Sequence, residues 1–405
     1  MKSFDIPPQY RSQIISKIKA ARKAEDPRKQ DFSPTELDFG SVRFLIARHF
    51  GFCFGVENAI EIAHRSIDEN PGKRIFLLSE MIHNPVVNSD LQELGINFIT
   101  DNYGKQLVDW SEITSEDVVI IPAFGTTLET EQMLKEKEID VIKYNTTCPF
   151  VEKVWNRAAS LGKKNYTVVI HGKAKHEETR ATFSHTTQNA ASVIIRNLDE
   201  AKILAELITG ERNIDEFFNC FDGKYSNGFN PQKDLTKIGV VNQTTMLASE
   251  TQIIADLLKD ALKKKFGEEN LQNHFADTRD TLCYATNDNQ SATIALTKES
   301  ADLAIVIGGY NSSNTSHLAE LLEQIFPTYF ISGANEILSG EEIKHFNMHS
   351  GKIVNTKNYL PAKNKITIAV TSGASCPDSV VDAVLNKLAY LLRADKNLEA
   401  VQGEK

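Results

Sequence analysis

Three cysteines in this sequence share one local context, and thiolate chemistry is the first function that the pattern suggests. Cys53, Cys148 and Cys283 each follow a short strand-like run and stand at the start of a helix-like pattern. They are 95 and 135 residues apart in a chain without a CxxC pair, so they can act together only if separate segments converge. Thiolates favour zinc, copper(I) or iron–sulfur centres. Three cysteines without a fourth would leave one iron of a 4Fe–4S cube open to a substrate.

Each of these cysteines could instead be a small hydrophobic residue packed in the core, which is the commoner role of a single cysteine. The context that all three share favours the ligand role instead. Cys220 and Cys376 have no counterparts in this pattern, and we predict that neither is a ligand.

Two further sets of loops repeat together with the cysteines. Polar loops centred on His83, His176 and Ser312 follow the three cysteines by 30, 28 and 29 residues. Later strand-like runs each end in another loop, at residues 122–125, 242–245 and 372–375. Near-equal offsets of this kind predict three copies of one α/β unit, each with a cysteine and two polar loops.

The loops of the third copy are typical of an anion site. The residues at 312–314 precede a helix-like pattern, and Ser375 precedes another. Free N–H groups at a helix N-terminus bind phosphate, although simple helix capping is the alternative for each loop alone. Two such loops, together with His83 and His176 from the other copies, favour a ligand the size of a diphosphate.

A carboxyl group lies in the same set of loops. Glu178 is two residues past His176, where it could deliver a proton to a leaving hydroxyl group. The alternative is an ordinary acidic residue near a helix N-terminus. Gln243 and Thr244 are polar residues that could orient the oxygen of the substrate.

Composition limits the class of protein. The chain has 405 residues and a net charge of −9, which argues against a nucleic-acid partner because such proteins present basic surfaces. Its apolar runs are too short to cross a bilayer, so no membrane association is expected. Residues 1–30 are polar and lack a secretory signal, and cysteines are few. These features favour a reducing compartment, the cytoplasm.

Short β-branched runs alternate with helical patterns from residue 42 onward, which predicts an α/β fold with parallel sheets. The three copies are called lobes 1, 2 and 3. We expect the N-terminal extension to be a solvated appendage, and the insertion in lobe 2 to be an excursion on the surface. We also expect the first strand and the cysteine loop of lobe 1 to pack with lobe 3. The predicted segments are the extension at 1–41, lobe 1 at 42–148, lobe 2 at 149–282 with its insertion at about 208–233, lobe 3 at 283–393 and a C-terminal tail at 394–405.

Taken together, the motifs resemble those of the 4-hydroxy-3-methylbut-2-enyl diphosphate reductases, which act last in the non-mevalonate isoprenoid pathway. The resemblance runs in family order from about residue 42 to 393 and is specific because the motifs occur jointly. The matching segments are GFCFGV at 51–56, IHN at 82–84, TCP at 147–149, HEE at 176–178, QTT at 243–245, CYAT at 283–286, NSSN at 311–314 and GAS at 373–375.

The resemblance implies three similar α/β lobes, arranged as a trefoil with pseudo-threefold symmetry around a central 4Fe–4S cluster. One cluster per chain would be bound by Cys53, Cys148 and Cys283, with the fourth iron open to the substrate hydroxyl. Two electrons and two protons would remove that hydroxyl as water, giving isopentenyl or dimethylallyl diphosphate. A ferredoxin or flavodoxin would supply the electrons.

The same matching implies roles for the polar loops. Glu178 would deliver the proton, Thr244 would lie near the hydroxyl group, and Gln243 would contact the substrate. Many family members have histidine where this chain has Phe124, so one diphosphate donor is replaced by an apolar ring, as in plant and cyanobacterial members. The remaining residues expected to hold the diphosphate are His83, His176, Ser312, Ser313, Asn314 and Ser375.

Two other functions fit part of the pattern. A hydro-lyase would use the open iron only as a Lewis acid and would turn over without a reductant. A non-catalytic cluster sensor would bind the metal but would have little use for Glu178 or the phosphate-type loops.

Overall fold

The computed structural model describes residues 4–101, 104–278, 281 and 283–394. The chain divides into two compact units. The first unit comprises Met1–Glu57, Ile82–Ser89 and Tyr284–Lys405. The second comprises Asn58–Met81 and Asp90–Cys283.

Helices and strands alternate along most of the chain, which confirms the predicted α/β class. The strands in the described residues are β1 (Thr35–Asp38), β2 (Val42–Ile46), β3 (Ile75–Leu77), β4 (Ile96–Phe98), β5 (Val118–Ile120), β6 (Thr167–His171), β7 (Ser192–Ile195), β8 (Ile238–Asn242), β9 (Phe275–Ala276), β10 (Leu303–Ile307), β11 (Thr328–Ile331), β12 (Glu342–Asn347), β13 (Lys352–Lys357) and β14 (Ile366–Ser372). The helices are α1 (Gln13–Glu25), α2 (Phe54–Glu69), α3 (Pro85–Glu93), α4 (Leu128–Glu136), α5 (Pro149–Gly162), α6 (Glu177–Thr187), α7 (Leu198–Thr209), α8 (Phe217–Cys220), α9 (Pro231–Asp234), α10 (Ala248–Phe266), α11 (Leu271–His274), α12 (Tyr284–Leu296), α13 (Ser313–Glu323) and α14 (Asp378–Leu391).

The first unit contains a seven-stranded sheet in the order β1-β2-β14-β10-β11-β12-β13. Its four central strands are parallel, and the antiparallel strands lie at the edges. β10 is buried on both faces because its side chains alternate between two cores. Ile305 and Ile307 belong to the core that includes Val381 and Leu385 of α14, whereas Val306 belongs to the core on the other side.

The second unit contains two smaller parallel sheets, ordered β4-β3-β5 and β7-β6-β8-β9. The buried run of β6 alternates in the same way as β10. Val169 packs in a core with Leu204 of α7 and Leu258 of α10, while Val168 and Ile170 pack in a core with α5.

One strand order occurs in all three sheets. In β4-β3-β5, in β7-β6-β8 and in β11-β10-β14, the first strand in sequence lies in the middle, between the second and the third. This common order supports the three copies expected from the loop spacing. The lobe boundaries themselves stay predictions.

A further parallel segment lies beside the third strand of each copy, and each of these segments leads into a cysteine loop. β2 pairs with β14 and precedes Cys53, and β9 pairs with β8 and precedes Cys283. Asn145 forms a single parallel bridge with Ile121 and precedes Cys148. Parallel strands carry their following loops to one edge of a sheet, so the cysteines have equivalent places in the three copies.

The N-terminal extension differs from the expected solvated appendage. β1 pairs antiparallel with β2 at the edge of the seven-stranded sheet, and Ile15 and Ile18 of α1 lie in the core against α14. Phe4 and Tyr10 are also buried. The cationic residues of this stretch had suggested solvation, but its apolar residues at helical spacing form a buried stripe.

The insertion in lobe 2 also differs from expectation, because it is not only a surface excursion. Phe217, Phe221 and Phe229 are buried in the core of the second unit. Val193 and Tyr225 form an antiparallel bridge, which adds the insertion to the β7 edge of its sheet.

None of the helices in the described part of the chain combines the length and apolarity needed to cross a bilayer.

We expect Ile15→Ala to lower the free energy of unfolding by about 3 kcal/mol, because it leaves a cavity in the core. Lys17→Ala, on the exposed side of the same helix, should change it by no more than about 0.5 kcal/mol. Urea denaturation followed by circular dichroism measures both. Equal, small effects would show that α1 does not contribute to this core.

Candidate active site

The loops that follow β6 and β8 bring together the polar residues of the second unit. The Glu178 side chain is 1% exposed, and its carboxylate accepts two hydrogen bonds from Thr244. The Thr244 backbone N–H donates to Glu178 Oε1 at 2.5 Å, and its hydroxyl donates to Oε2 at 2.9 Å. This contact holds the carboxyl group of one loop against the hydroxyl of the next, as a shared role would require.

Gln243 fixes these two loops relative to each other. Its Oε1 accepts from Lys173 N at 3.1 Å and from the Thr179 hydroxyl at 3.0 Å, and its Nε2 donates to the Thr245 hydroxyl at 2.7 Å. The strand end between them is tightly packed, because a Cβ at Gly172 would lie 2.7 Å from Thr179 Oγ1. Gln243 therefore lies at the site, and its side-chain amide forms these three hydrogen bonds with other groups of the protein.

His176 is oriented by its position as the N-cap of α6. Its Nδ1 accepts from the backbone N–H of Glu178 at 3.2 Å, so a neutral ring carries its proton on Nε2. The ring of Phe124 contacts the imidazole edge to face, with centroids 5.6 Å apart. Phe124 thus lies beside one of the predicted diphosphate ligands and fixes the place of its ring.

The first unit brings together a second group, which lies on three loops. A Cβ at Gly309 would lie 2.3 Å from the carbonyl oxygen of His83, so only glycine allows this approach. The Ser375 hydroxyl donates to the same His83 oxygen at 3.2 Å. The backbone N–H of Cys53 donates to Ala374 O at 3.1 Å, which ties the first cysteine loop to the loop of Ser375.

The N-terminus of α13 has a buried amide group that no described residue pairs with. Ser312 is the N-cap, and its oxygen accepts from the backbone N–H and the hydroxyl of Thr315. Ser313 and Asn314 are each 3% exposed. Neither Nδ2 nor Oδ1 of Asn314 has a hydrogen-bond partner within the described part of the chain. A buried amide in this state is completed by a ligand or by an ordered water.

Sequence reasoning did not single out Asn84 or Gly309. Asn84 is 1% exposed, its Oδ1 accepts from Val86 N, and its Nδ2 has no partner among the residues that the structure describes. Asn84 belongs to the IHN segment at 82–84, to which no role was assigned, and Gly309 precedes the NSSN segment. Close backbone approach and amide satisfaction depend on tertiary contacts, which the sequence does not show.

Each cysteine of the predicted ligand set lies immediately before a helix. α2 begins at Phe54, α5 at Pro149 and α12 at Tyr284. The Cys148 backbone N–H donates to Ala123 O at 3.0 Å, which joins this loop to that of Phe124. All three cysteines therefore have the same local setting, a loop that ends at a helix N-terminus with its partial positive charge.

Cys53 belongs to the first unit, and Cys148 and Cys283 belong to the second. Within each unit taken alone, the described residues hold no group of three or more His, Cys, Asp or Glu side chains that could bind a metal ion.

The two other cysteines have different surroundings. Cys376 is fully buried in the core of the first unit, and burial raises the pKa of its thiol to about 12. Cys220 is half-buried and packs against the aromatic core of the second unit. Both environments favour a packing role.

Comparison with known proteins gives matches over most of the chain. Residues 44–389 match the family described as LytB protein. The chain is 38% identical to a 4-hydroxy-3-methylbut-2-enyl diphosphate reductase of Gloeobacter violaceus over 390 residues, covering 96% of this chain and 89% of the relative. It is 42% identical to the reductase of the same name from Trichormus variabilis, covering 88% and 86%. For the Synechocystis reductase the identity is 41%, covering 90% and 93%.

Solved structures support the same fold. A structure of (E)-4-hydroxy-3-methyl-but-2-enyl diphosphate reductase matches with a TM-score of 0.52 at 24% identity, covering 86% of this chain and 99% of that one. A reductase structure from Plasmodium falciparum matches with a TM-score of 0.61 at 22% identity, covering 88% and 89%. At this level of identity, the structures establish the fold alone.

The burial of Cys376 gives a test of its role. At pH 8, a pKa near 12 instead of 9.0 leaves roughly a thousandfold less thiolate, so iodoacetamide should modify native Cys376 at least that much more slowly than the urea-unfolded chain. Peptide mass spectrometry measures the rate, and the half-buried Cys220 should show a much smaller difference. Rapid modification of native Cys376 would contradict its place in the core.

Proposed function

This chain belongs to the LytB protein family, and we propose that it removes the hydroxyl group of 4-hydroxy-3-methylbut-2-enyl diphosphate by reduction. The products would be isopentenyl and dimethylallyl diphosphate. The observation that carries this function is the match to the reductases, because the matched range 44–389 includes every candidate site residue. A hydro-lyase or a sensor would not need the reductant that the relatives' name implies.

The cysteine set fits an iron–sulfur cluster. Cys53, Cys148 and Cys283 would supply three sulfur donors from equivalent places in the strand order, each immediately before a helix. We propose that these three hold one 4Fe–4S cluster per chain. When bound, the cluster would supply electrons and leave one iron open to the hydroxyl oxygen. Cys220 and Cys376 would take no part.

The diphosphate would be held by the loops of the first unit. Asn314 offers a buried amide, and α13 offers free N–H groups and a partial positive charge at its N-terminus. Ser312 and Ser313 add hydroxyl groups, because the Ser312 oxygen only accepts from Thr315 and its own O–H can donate to a phosphate. The Ser375 hydroxyl, which donates to the His83 carbonyl oxygen, would turn to the diphosphate when it binds. His83 would donate from its ring, while its carbonyl oxygen supports Ser375.

His176 would donate to the diphosphate from Nε2, because Nδ1 is occupied by the backbone of Glu178. Phe124 cannot replace the donor that histidine provides in many family members. Its edge-to-face contact instead fixes the His176 ring in place, which lowers the entropy cost of the remaining donor.

Proton delivery would fall to Glu178. The reaction needs two protons for the two electrons: one leaves with the hydroxyl as water, and the other enters the allyl group. Thr244 would lie between the substrate oxygen and the Glu178 carboxyl, as its hydroxyl contacts Oε2 at 2.9 Å. Gln243 would keep both loops in register.

The electrons would come from a protein of the ferredoxin or flavodoxin type.

The cytoplasm is the proposed location, because cysteines that must remain as thiolates suit a reducing compartment. The acidic net charge of −9 gives no support for a nucleic-acid partner.

The cluster assignment is tested by single substitutions. Cys53→Ser, Cys148→Ser and Cys283→Ser should each lose most iron and sulfide after anaerobic purification and reconstitution. Cys220→Ser and Cys376→Ala are the matched controls and should keep both. Iron analysis and electron paramagnetic resonance measure the outcome. A cluster that survives loss of any of the first three, or one that needs Cys376, would refute the assignment.

Glu178→Gln should keep the cluster but lower kcat by about a hundredfold or more, because the amide keeps the shape and loses the proton. Glu136→Gln, at an exposed position of α4, is the matched control and should have no effect. Anaerobic turnover with dithionite and a viologen mediator measures both. Near-normal turnover of the Glu178 variant would remove this residue from the mechanism.

A further inference from the structure

The N-terminal basic segment, residues 4–25, differs in charge from the rest of the chain. It carries five cationic residues against Asp5 and Glu25, although the whole protein has a net charge of −9. The cationic residues are Arg11, Lys17, Lys19, Arg22 and Lys23. An acidic protein that keeps one basic stretch presents a local field of opposite sign.

This segment is anchored next to the first cysteine loop. The ring of Phe4 packs edge to face on Phe54 at 4.9 Å, and that of Tyr10 packs on Phe52 at 5.8 Å. These two partner rings flank Cys53 directly in sequence. The basic segment therefore has a fixed place beside one of the proposed cluster ligands.

An ion pair strengthens the same attachment. Lys19 Nζ lies 2.6 Å from Asp378 at the start of α14. Burial raises the pKa of the Glu57 carboxyl, in the first turn of α2, and the charges of Lys19 and Arg11 act against that increase. Both cations are thus within electrostatic reach of the helix that begins after Cys53.

Three cations of the segment remain exposed and have no carboxylate partner among the described residues: Arg11, Lys17 and Lys23. The Arg11 guanidinium donates to a backbone oxygen, that of Phe4. The Phe54 ring, which packs on Phe4 of this segment, is 42% exposed. Aromatic residues and arginine are enriched at protein–protein interfaces, and unpaired lysines add attraction for a partner of opposite charge.

A membrane surface is the less suitable partner. Basic amphipathic helices bind membranes by burying their apolar face in the lipid. The apolar face of α1 is already used, because Ile15 and Ile18 pack in the core of the first unit. Only its cationic side is available, which suits an acidic protein surface.

We propose that the N-terminal basic segment, with the exposed ring of Phe54, is the docking surface for a small acidic electron-carrier protein. This inference rests on the proposed function, in which each turnover needs two electrons from outside the chain. Each docking event would oxidise the carrier by one electron and reduce the cluster by one. Opposite charges would speed the encounter and hold the carrier beside the Cys53 loop.

The test compares one protein reductant with one small reductant. The probe is a reduced, acidic plant-type 2Fe–2S ferredoxin, and dithionite is the small reductant. Stopped-flow absorbance follows reduction of the cluster in wild type, in Lys17→Glu/Lys23→Glu, and in Lys265→Glu/Lys298→Glu. The last variant changes the net charge equally, at exposed lysines outside the N-terminal basic segment.

At low salt, we expect the Lys17/Lys23 variant to be reduced by ferredoxin at least tenfold more slowly than wild type, and the control variant within about twofold. Raising the ionic strength should slow wild type and bring the two rates together. Dithionite should reduce all three proteins equally. Binding of fluorescent ferredoxin to the apoprotein should weaken in the same order, which is a readout independent of the cluster.

Several outcomes would overturn the proposal. Equal slowing in the control variant would mean a general effect of charge, and equal slowing with dithionite would mean damage to the cluster site. Binding of vesicles with anionic lipid that is lost in the Lys17/Lys23 variant would assign the surface to a membrane instead. Turnover driven by dithionite tests the proposed function separately, so the two failures are distinguishable.

Discussion

The geometry of parallel strands is the constraint on which the rest of this structure depends. When neighbouring strands run in one direction, the loops after them emerge at the same edge of the sheet. The pairing of β6 with β8 places the loops of Glu178 and Thr244 together, and the pairing of β10 with β14 does the same for Asn314 and Ser375. Residues far apart in sequence therefore become neighbours without any local motif.

The same geometry explains how much could be predicted from the sequence. Apolar runs identified the buried strands, and loops at matching offsets identified the three copies, because both depend on local residue order. The common strand order then follows from the copies. Sequence spacing gave no information on the pairing partners of the loop residues, such as the two hydrogen bonds from Thr244 to Glu178. That Gln243 uses its amide to connect two loops also depends on tertiary contacts.

Two segments differ from the sequence-based expectation, and both do so for the same physical reason. The first forty residues and the insertion in lobe 2 are both rich in polar residues, and polarity suggested solvent exposure. In each, a few apolar side chains at the right spacing decide the outcome: Ile15 and Ile18 in one case, Phe217 and Phe229 in the other. Burying a large apolar side chain contributes about 2 kcal/mol, so a few anchors can fix a segment whose average composition is polar.

The seven-stranded sheet joins the two ends of the chain, since Val42 of β2 lies opposite Ile366 of β14. A ribosome that adds about 5–20 residues each second needs tens of seconds to make the intervening stretch. Until then, β2 lacks β14, the neighbour whose following loop contacts Cys53, so a nascent chain cannot present all three of the proposed cysteine ligands. If these three cysteines hold the cluster as we propose, metal loading would follow translation, and a truncated product that lacks its last strand would not bind the cluster.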